Sequence, residues 1–233
     1  MISASDLIGK FRYALENAWG YIWGTTGIIW TQARQDALNK TTDANRANSR
    51  KYGSQWIGHY VADCSGLFVW AFREFGLEMS TVSTYIYTSY CNKKGKLTTE
   101  LKNTIRPGTA VFTGDSANKH PHIGLFVGDN TVIEAKGAQY GVVTSKLTDK
   151  KWTWYGELKD VDYGGDVPIP EGYAVVTGTK VALRKDPSTQ SSVIMRIDTG
   201  KQVKLETPPP SEWEYVSYNG KKGYMMKKFL KEG

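Results

Sequence analysis

Asp63-Cys64-Ser65-Gly66-Leu67-Phe68-Val69-Trp70-Ala71-Phe72-Arg73-Glu74-Phe75-Gly76 is the stretch on which the fold of this 233-residue chain turns. From Gly66 to Phe75 it is apolar nearly all round, which predicts a helix buried on every side and closed by Gly76. Cys64 then falls at or near its first turn. The unpaired N–H groups and dipole of a helix start favour a thiolate, so the placement predicts a lowered thiol pKa and a nucleophile. Most free cysteines are small core residues. The Asp and Ser flanking Cys64 are not the aliphatic neighbours of such a site.

Working outward, a helix is predicted near residues 4–18, with Ser5 or Asp6 as N-cap. After Arg106-Pro107-Gly108 the runs 109–113, 122–128, 131–136, 141–147 and 152–158 alternate or are β-branched and read as strands. Helices followed by a mostly antiparallel sheet form the α+β pattern. The polar stretch from Asn39 to Ser54 reads as a surface insertion, partly helical at its start.

The strand at 122–128 brings in the second chemical group, within Lys119-His120-Pro121-His122-Ile123-Gly124-Leu125-Phe126-Val127-Gly128. A cysteine hydrolase needs an imidazole within hydrogen-bond reach of the sulfur and a third polar group to orient it. His122 lies on the strand, where Gly124 is expected to leave space beside the ring. His120, followed by Pro121, belongs to the preceding loop. The chain has three histidines, His59, His120 and His122, and two cysteines, Cys64 and Cys91. No C-x-x-C pair or repeated Cys/His spacing occurs, so neither a metal nor another cofactor is expected; a Cys64–Cys91 bridge stays open.

Residues 173–233 hold eleven Lys and Arg against six Asp and Glu, and so most of the +7 formal charge. A basic module bearing aromatics points to a polyanion (nucleic acid, anionic membrane or anionic wall) or simply to a solvated rim. Nucleic acid is disfavoured because no recognised motif accompanies the charge. No apolar run approaches the roughly 18–20 residues that span a bilayer. The start, Met1 to Asp6, lacks the basic and apolar parts of a secretion signal: either none is used or it has been trimmed. Short runs at 173–176, 180–184, 193–197, 202–206, 213–218 and 222–226, with Asn219-Gly220 and Pro208-Pro209-Pro210 between them, suggest a small β-barrel. The domains are therefore expected at 1–159 and 173–233, joined by a Pro/Gly-rich linker at 160–172.

Asp63-Cys64-Ser65-Gly66-Leu67 together with His122-Ile123-Gly124-Leu125-Phe126-Val127-Gly128 resembles the NlpC-type cysteine peptidases of bacterial cell walls, within the papain-like superfamily. Tyr21-Ile22-Trp23-Gly24 is similar to the family's Tyr-x-Trp-Gly segment, and Pro107-Gly108-Thr109-Ala110-Val111-Phe112 to its Pro-Gly-Asp-Leu-Val-Phe strand. The likeness covers about residues 10–147. It implies a papain-like N-terminal domain with Cys64 as nucleophile and His122 as base. The third residue, usually His, falls twelve positions later, on Glu134 in Val132-Ile133-Glu134-Ala135; its bland alternative is a solvent-facing strand carboxylate. Thr109 replaces an Asp and removes a polar support, and residues 28–60 form a longer insertion than compact members have.

Strand parity tests Glu134. A plain two-residue turn at Asp129-Asn130 would pair Glu134 opposite Leu125, on the wrong face for His122. A three-residue loop or a bulge near Gly128 is therefore expected, placing Glu134 opposite Gly124 or Phe126.

The resemblance implies hydrolysis of peptidoglycan stem peptides, typically between γ-D-glutamate and a diamino acid. Tyr21 and the Cys64 N–H would hold the oxyanion, and Asp63 and Ser65 would engage a free stem-peptide amine. The bland alternatives are a core Tyr21 and helix-capping Asp63 and Ser65. The tail resembles bacterial SH3-like wall-binding modules, with Tyr215, Tyr218 and Tyr224 as candidate wall contacts and Trp213 as core. The expected partner is the cell wall, engaged by a monomer that acts there. Without a visible export signal the chain fits a phage or prophage endolysin held in the cytoplasm until lysis, or a trimmed autolysin. A catalytically inactive wall-binding protein is the alternative.

Overall fold

The computed structural model describes residues 1–102, 104–163, 172–207 and 212–232. They fall into two compact units, Met1–Asp162 and Tyr163–Gly233.

The first unit opens with β1 (Ile2–Ser3) and α1 (Ala4–Glu16). Ser3, rather than Ser5 or Asp6, is the N-cap: its hydroxyl accepts from the Asp6 N–H at 3.1 Å and donates to the Asp6 carboxylate at 2.6 Å. This reciprocal pair satisfies a helix-start donor two residues earlier than expected. Leu7, Ile8, Phe11 and Ala14 form the buried stripe. After β2 (Thr26–Ile29) come α2 (Gln32–Asn39) and α3 (Ala47–Tyr52), then β3 (Tyr60–Ala62), antiparallel to β2.

The 28–60 insertion is more than a polar surface excursion. Ile22, Trp30, Leu38 and Val61 make a small core of their own. Gln35 is buried beneath it, accepting from the Trp30 indole N–H at 2.9 Å and donating to Asn39 at 2.8 Å. The polar composition hides this because satisfied amides do the work that apolar contacts do elsewhere.

The predicted central helix is α4 (Cys64–Arg73), which starts at the cysteine itself. It packs on α1, β2, β3, β6 and β7, with Phe68 edge-on to Phe11 at 4.7 Å between ring centroids. Next come α5 (Ser83–Tyr90), β4 (Cys91–Lys96) and α6 (Thr99–Lys102). The expected strands follow as β5 (Ala110–Phe112), β6 (Ile123–Gly128), β7 (Thr131–Gly137), β8 (Gly141–Lys146) and β9 (Trp154–Leu158). With β4 they form one antiparallel sheet in the order β4-β9-β5-β6-β7-β8. The unit closes with β10 (Val161–Asp162), parallel to β1. Helices packed on an antiparallel sheet give the α+β class. Among the described residues no helix is long and apolar enough to cross a membrane.

The second unit is all β apart from one short 3-10 turn. Its strands are β11 (Tyr173–Val176), β12 (Val181–Arg184), β13 (Val193–Ile197), β14 (Gln202–Thr207), β15 (Trp213–Tyr218), β16 (Lys221–Met226) and β17 (Leu230–Glu232). They form one sheet in the order β13-β12-β16-β15-β14-β11-β17, around Ala174, Val176, Val181, Leu183, Ile197, Val203, Val216 and Met225. No strand pairing among the described residues closes this run into a barrel. Trp213 is buried. The expected linker centre and the Pro208-Pro209-Pro210 loop lie outside the described residues.

One glycine ties α4 to the chain before it. A Cβ at Gly66 would stand 1.9 Å from the carbonyl oxygen of Thr25, a backbone atom with little freedom to retreat. Gly66→Ala is expected to lower the unfolding free energy by about 2–3 kcal/mol, read as an earlier urea midpoint.

Candidate active site

The site begins at the N-cap of α4. One Asp63 carboxylate oxygen accepts from the Gly66 N–H at 2.6 Å, and the other accepts from the Gly24 N–H at 2.7 Å. This buried carboxylate fixes the helix start and locks it to the Tyr21–Gly24 segment. The Ser65 hydroxyl donates to the Thr81 carbonyl at 2.6 Å, with Asp63 Oδ1 3.1 Å away. Asp63 thus caps the helix, and Ser65 ties its first turn to the Thr81 carbonyl.

Cys64 is a free, partly accessible cysteine. Among the groups that act on its sulfur is the N–H of Ile123, the residue after His122. The expected lowering of the thiol pKa is not what the surroundings produce. Burial pushes the thiol up to about 12, and the Asp63 charge adds to the rise, against N–H groups of Ile123, Ser65 and Cys64 that pull it down. Desolvation outweighs the helix start because the thiolate would lose more water than three amides replace. Tyr21, half-buried, stands close enough to feel Cys64 and Asp63; burial foremost, then those two negative charges, raises its phenol well above the ordinary range.

His122 lies at the entrance to β6, with its side chain 19% exposed. Its Nε2 is 2.6 Å from Glu134 Oε2. With Nε2–H donating to the carboxylate, Nδ1 is left as the unprotonated nitrogen of the neutral ring. Glu134 is wholly shielded and meets Lys151 Nζ at 2.5 Å through its other oxygen. Burial alone would raise the carboxyl, but hydrogen bonds from His122 and Lys151 outweigh it and hold it at about 2.

The geometry that lets these two strands meet is a bulge. Asp129 and Asn130 form a two-residue turn, both with positive φ (48° and 56°), between the paired residues Gly128 and Thr131. The register then shifts between Phe126 and Gly128, leaving Val127 as the extra residue. Phe126 pairs with Val132 and Leu125 with Ile133, which sets Glu134 opposite Gly124 on the parity of His122. The turn is the plain one, and the bulge restores the face.

Two neighbours of the imidazole were not legible as site residues. Trp152 stacks on His122, with centroids 5.8 Å apart and planes at 22°, and Lys151 precedes it. The space beside Gly124 is not open: a Cβ there would lie 2.9 Å from the Trp152 ring and 2.6 Å from Val132. The missing side chain admits the indole. Neither Lys151 nor Trp152 belongs to a motif; the one sequence signal was a Lys-Trp pair leading into a strand. Thr109 is fully buried and donates to the Arg106 carbonyl at 2.6 Å, so it supports its own turn. His120 is fully buried against Tyr87, Phe112 and Trp154, with each ring nitrogen 3.2 Å from a carbonyl oxygen; it is part of the core. Tyr215, Tyr218 and Tyr224 lie in the second unit, half-buried, with the rings of Tyr215 and Tyr224 4.8 Å apart across paired strands.

The first unit thus carries a thiol at a helix start and, on its antiparallel sheet, an imidazole held by a buried carboxylate. Residues 48–156 match the model of the NlpC/P60 family. Its members are generally cysteine peptidases acting on cell-wall peptidoglycan. Similar solved structures include the P60 domain of an antigen from M. avium subspecies paratuberculosis, 18% identical over 66% of this chain and 96% of that one, with a TM-score of 0.41. The NlpC/p60 domain of the peptidoglycan hydrolase SagA is 13% identical over 67% and 100%, with a TM-score of 0.45. RipD from Mycobacterium tuberculosis, described as a non-catalytic NlpC/p60 domain protein adapted to peptidoglycan binding, is 15% identical over 65% and 96%, with a TM-score of 0.39. No curated protein matches the chain.

The depressed Glu134 carboxyl has a pH consequence. Because its folded value, about 2, lies below the ordinary 4.5, the stabilisation is complete above pH 4.5 and is lost as pH falls toward 2. The folded state is expected to gain about 2–3 kcal/mol from this group between those limits. Urea unfolding across that range should show the step in the native protein and its absence in Glu134→Gln.

Proposed function

We propose that the chain is a peptidoglycan hydrolase that cleaves stem peptides by acyl transfer. The observation that carries this reading is the His122 ring held at 2.6 Å by the buried Glu134 carboxylate, on the strand whose Ile123 amide acts on Cys64 at the start of α4. In the resting site Cys64 is a thiol. His122 Nδ1 takes its proton as sulfur attacks the scissile carbonyl, and Glu134 holds the resulting imidazolium. The imidazolium protonates the leaving amine, and a water, activated by the same ring, releases the acyl group from sulfur. The Tyr21 hydroxyl, kept protonated by its surroundings, and the Cys64 N–H are the proposed oxyanion donors.

The proposed bond is the one between γ-D-glutamate and the diamino acid, with Asp63 and Ser65 near the free amine of a trimmed stem. These two assignments rest on the family likeness. The second unit is proposed as an SH3-like barrel that holds the enzyme to the wall, with Tyr215, Tyr218 and Tyr224 as contacts. Such tethering raises local substrate concentration without changing the chemistry. The chain fits an endolysin or a trimmed autolysin. The thiol pushed up to about 12 favours a second reading, a wall-binding protein without catalysis.

Mass spectrometry of digested peptidoglycan separates the two and identifies the bond. The native chain is expected to release cut stem peptides, and Cys64→Ala or His122→Ala to reduce the rate at least about 10³-fold. An intact stem after prolonged digestion by the native chain would establish the binding reading. The double substitution Tyr215→Ala/Tyr224→Ala is expected to weaken co-sedimentation with wall severalfold while turnover of soluble muropeptides stays unchanged.

A further inference from the structure

We infer that Lys151 is a positioning residue for His122, acting through Glu134: its ammonium cancels the carboxylate's charge, so the imidazole is oriented by a strong acceptor pair of zero net charge. The inference rests on the reading of His122 as a base.

The two contacts to Glu134 are divided cleanly, Lys151 on Oε1 at 2.5 Å and His122 on Oε2 at 2.6 Å. The carboxylate has no exposure, so its charge acts on the imidazole with little screening by water. Alone, its charge would favour the imidazolium over the neutral ring. Lys151 removes that bias and leaves the hydrogen bond that sets tautomer and ring orientation. Trp152 fixes the spacing. The Lys151 ammonium lies 4.5 Å from the centre of this ring, and the same indole stacks on His122. Cation, carboxylate and imidazole are thus arranged around one rigid plate.

The ionisable group in contact with the imidazole is Glu134 on β7, whose other oxygen meets Lys151 before β9; Cys64, Asp63 and Tyr21 act on one another at the start of α4. Asp63 is occupied by the amides of Gly66 and Gly24. Lys151 therefore supplies the compensating positive charge.

The test follows the His122 ring proton by NMR across pH in the full chain, beside the pH profile of kcat/KM on soluble muropeptides. In Lys151→Met the titration and the acidic limb are expected to move to higher pH by about one unit, nearly a tenfold loss on that limb with the plateau little changed. Glu134→Gln should shift the titration the opposite way, because it leaves the lysine uncompensated. Lys151→Arg should overlay the native curves, and Glu134→Gln/Lys151→Met should return close to them. An unmoved titration in Lys151→Met, whatever Glu134→Gln does, or an equal loss at every pH without a shift, overturns the inference, since a merely structural contact gives that result. If the native chain cleaves no stem peptide while the NMR shifts appear, the hydrolase reading fails and the charge compensation stands.

Discussion

One residue too many in a strand is the constraint on which the site depends. Val127 is left over when β6 pairs with β7, and side chains alternate faces along both strands. Without the extra residue the Asp129-Asn130 turn would set Glu134 opposite Leu125, among side chains of the other face. With it, Glu134 reaches the imidazole of His122. The bulge costs a broken ladder at one point and gains a buried acceptor for the ring.

The second organising contact is the helix start. Asp63 accepts amides from two chain segments, Gly24 and Gly66, and a carbonyl occupies the space a side chain at position 66 would need. Cys64 is thereby fixed in position rather than activated in advance. Burial keeps it a thiol, so in the proposed reaction proton removal and attack on substrate belong to the same event. His122, with its outer nitrogen tied to a carboxylate, is suited to that timing.

Much of this was legible in the sequence, for physical reasons that differ by element. The α4 helix was readable because ten residues apolar on all sides have nowhere to go but the interior. The strands of the first sheet were readable from alternation and from Gly and Pro at their ends. Even the irregularity in β6 was derivable, since parity allowed the His122–Glu134 contact only if the pairing slipped. What stayed hidden came from long-range packing. Lys151 and Trp152 reach the imidazole through the fold, and nothing in a Lys-Trp pair marks it as part of a site. The thiol's protonation went against the helix-start argument because local sequence shows the amides but not the desolvation. Cys91–Lys96 joins the sheet although Asn, Lys and Gly are poor strand formers; its ladder to Trp154–Leu158 decides the matter.

The insertion between Tyr21–Gly24 and Cys64 has a consequence for how such a site can change. Gln55 and the Trp56 indole both donate to the Ala138 carbonyl, at 2.8 and 2.6 Å, between β7, which carries Glu134, and β8. Ser49 accepts the Trp23 N–H at 3.0 Å. The extra segment is thus riveted at one end to the Tyr21–Gly24 segment and at the other to the β7–β8 hairpin. Transplanting this loop into a shorter relative would import its footings as well as its surface, and trimming it here would loosen the Tyr21–Gly24 segment and the β7–β8 hairpin together.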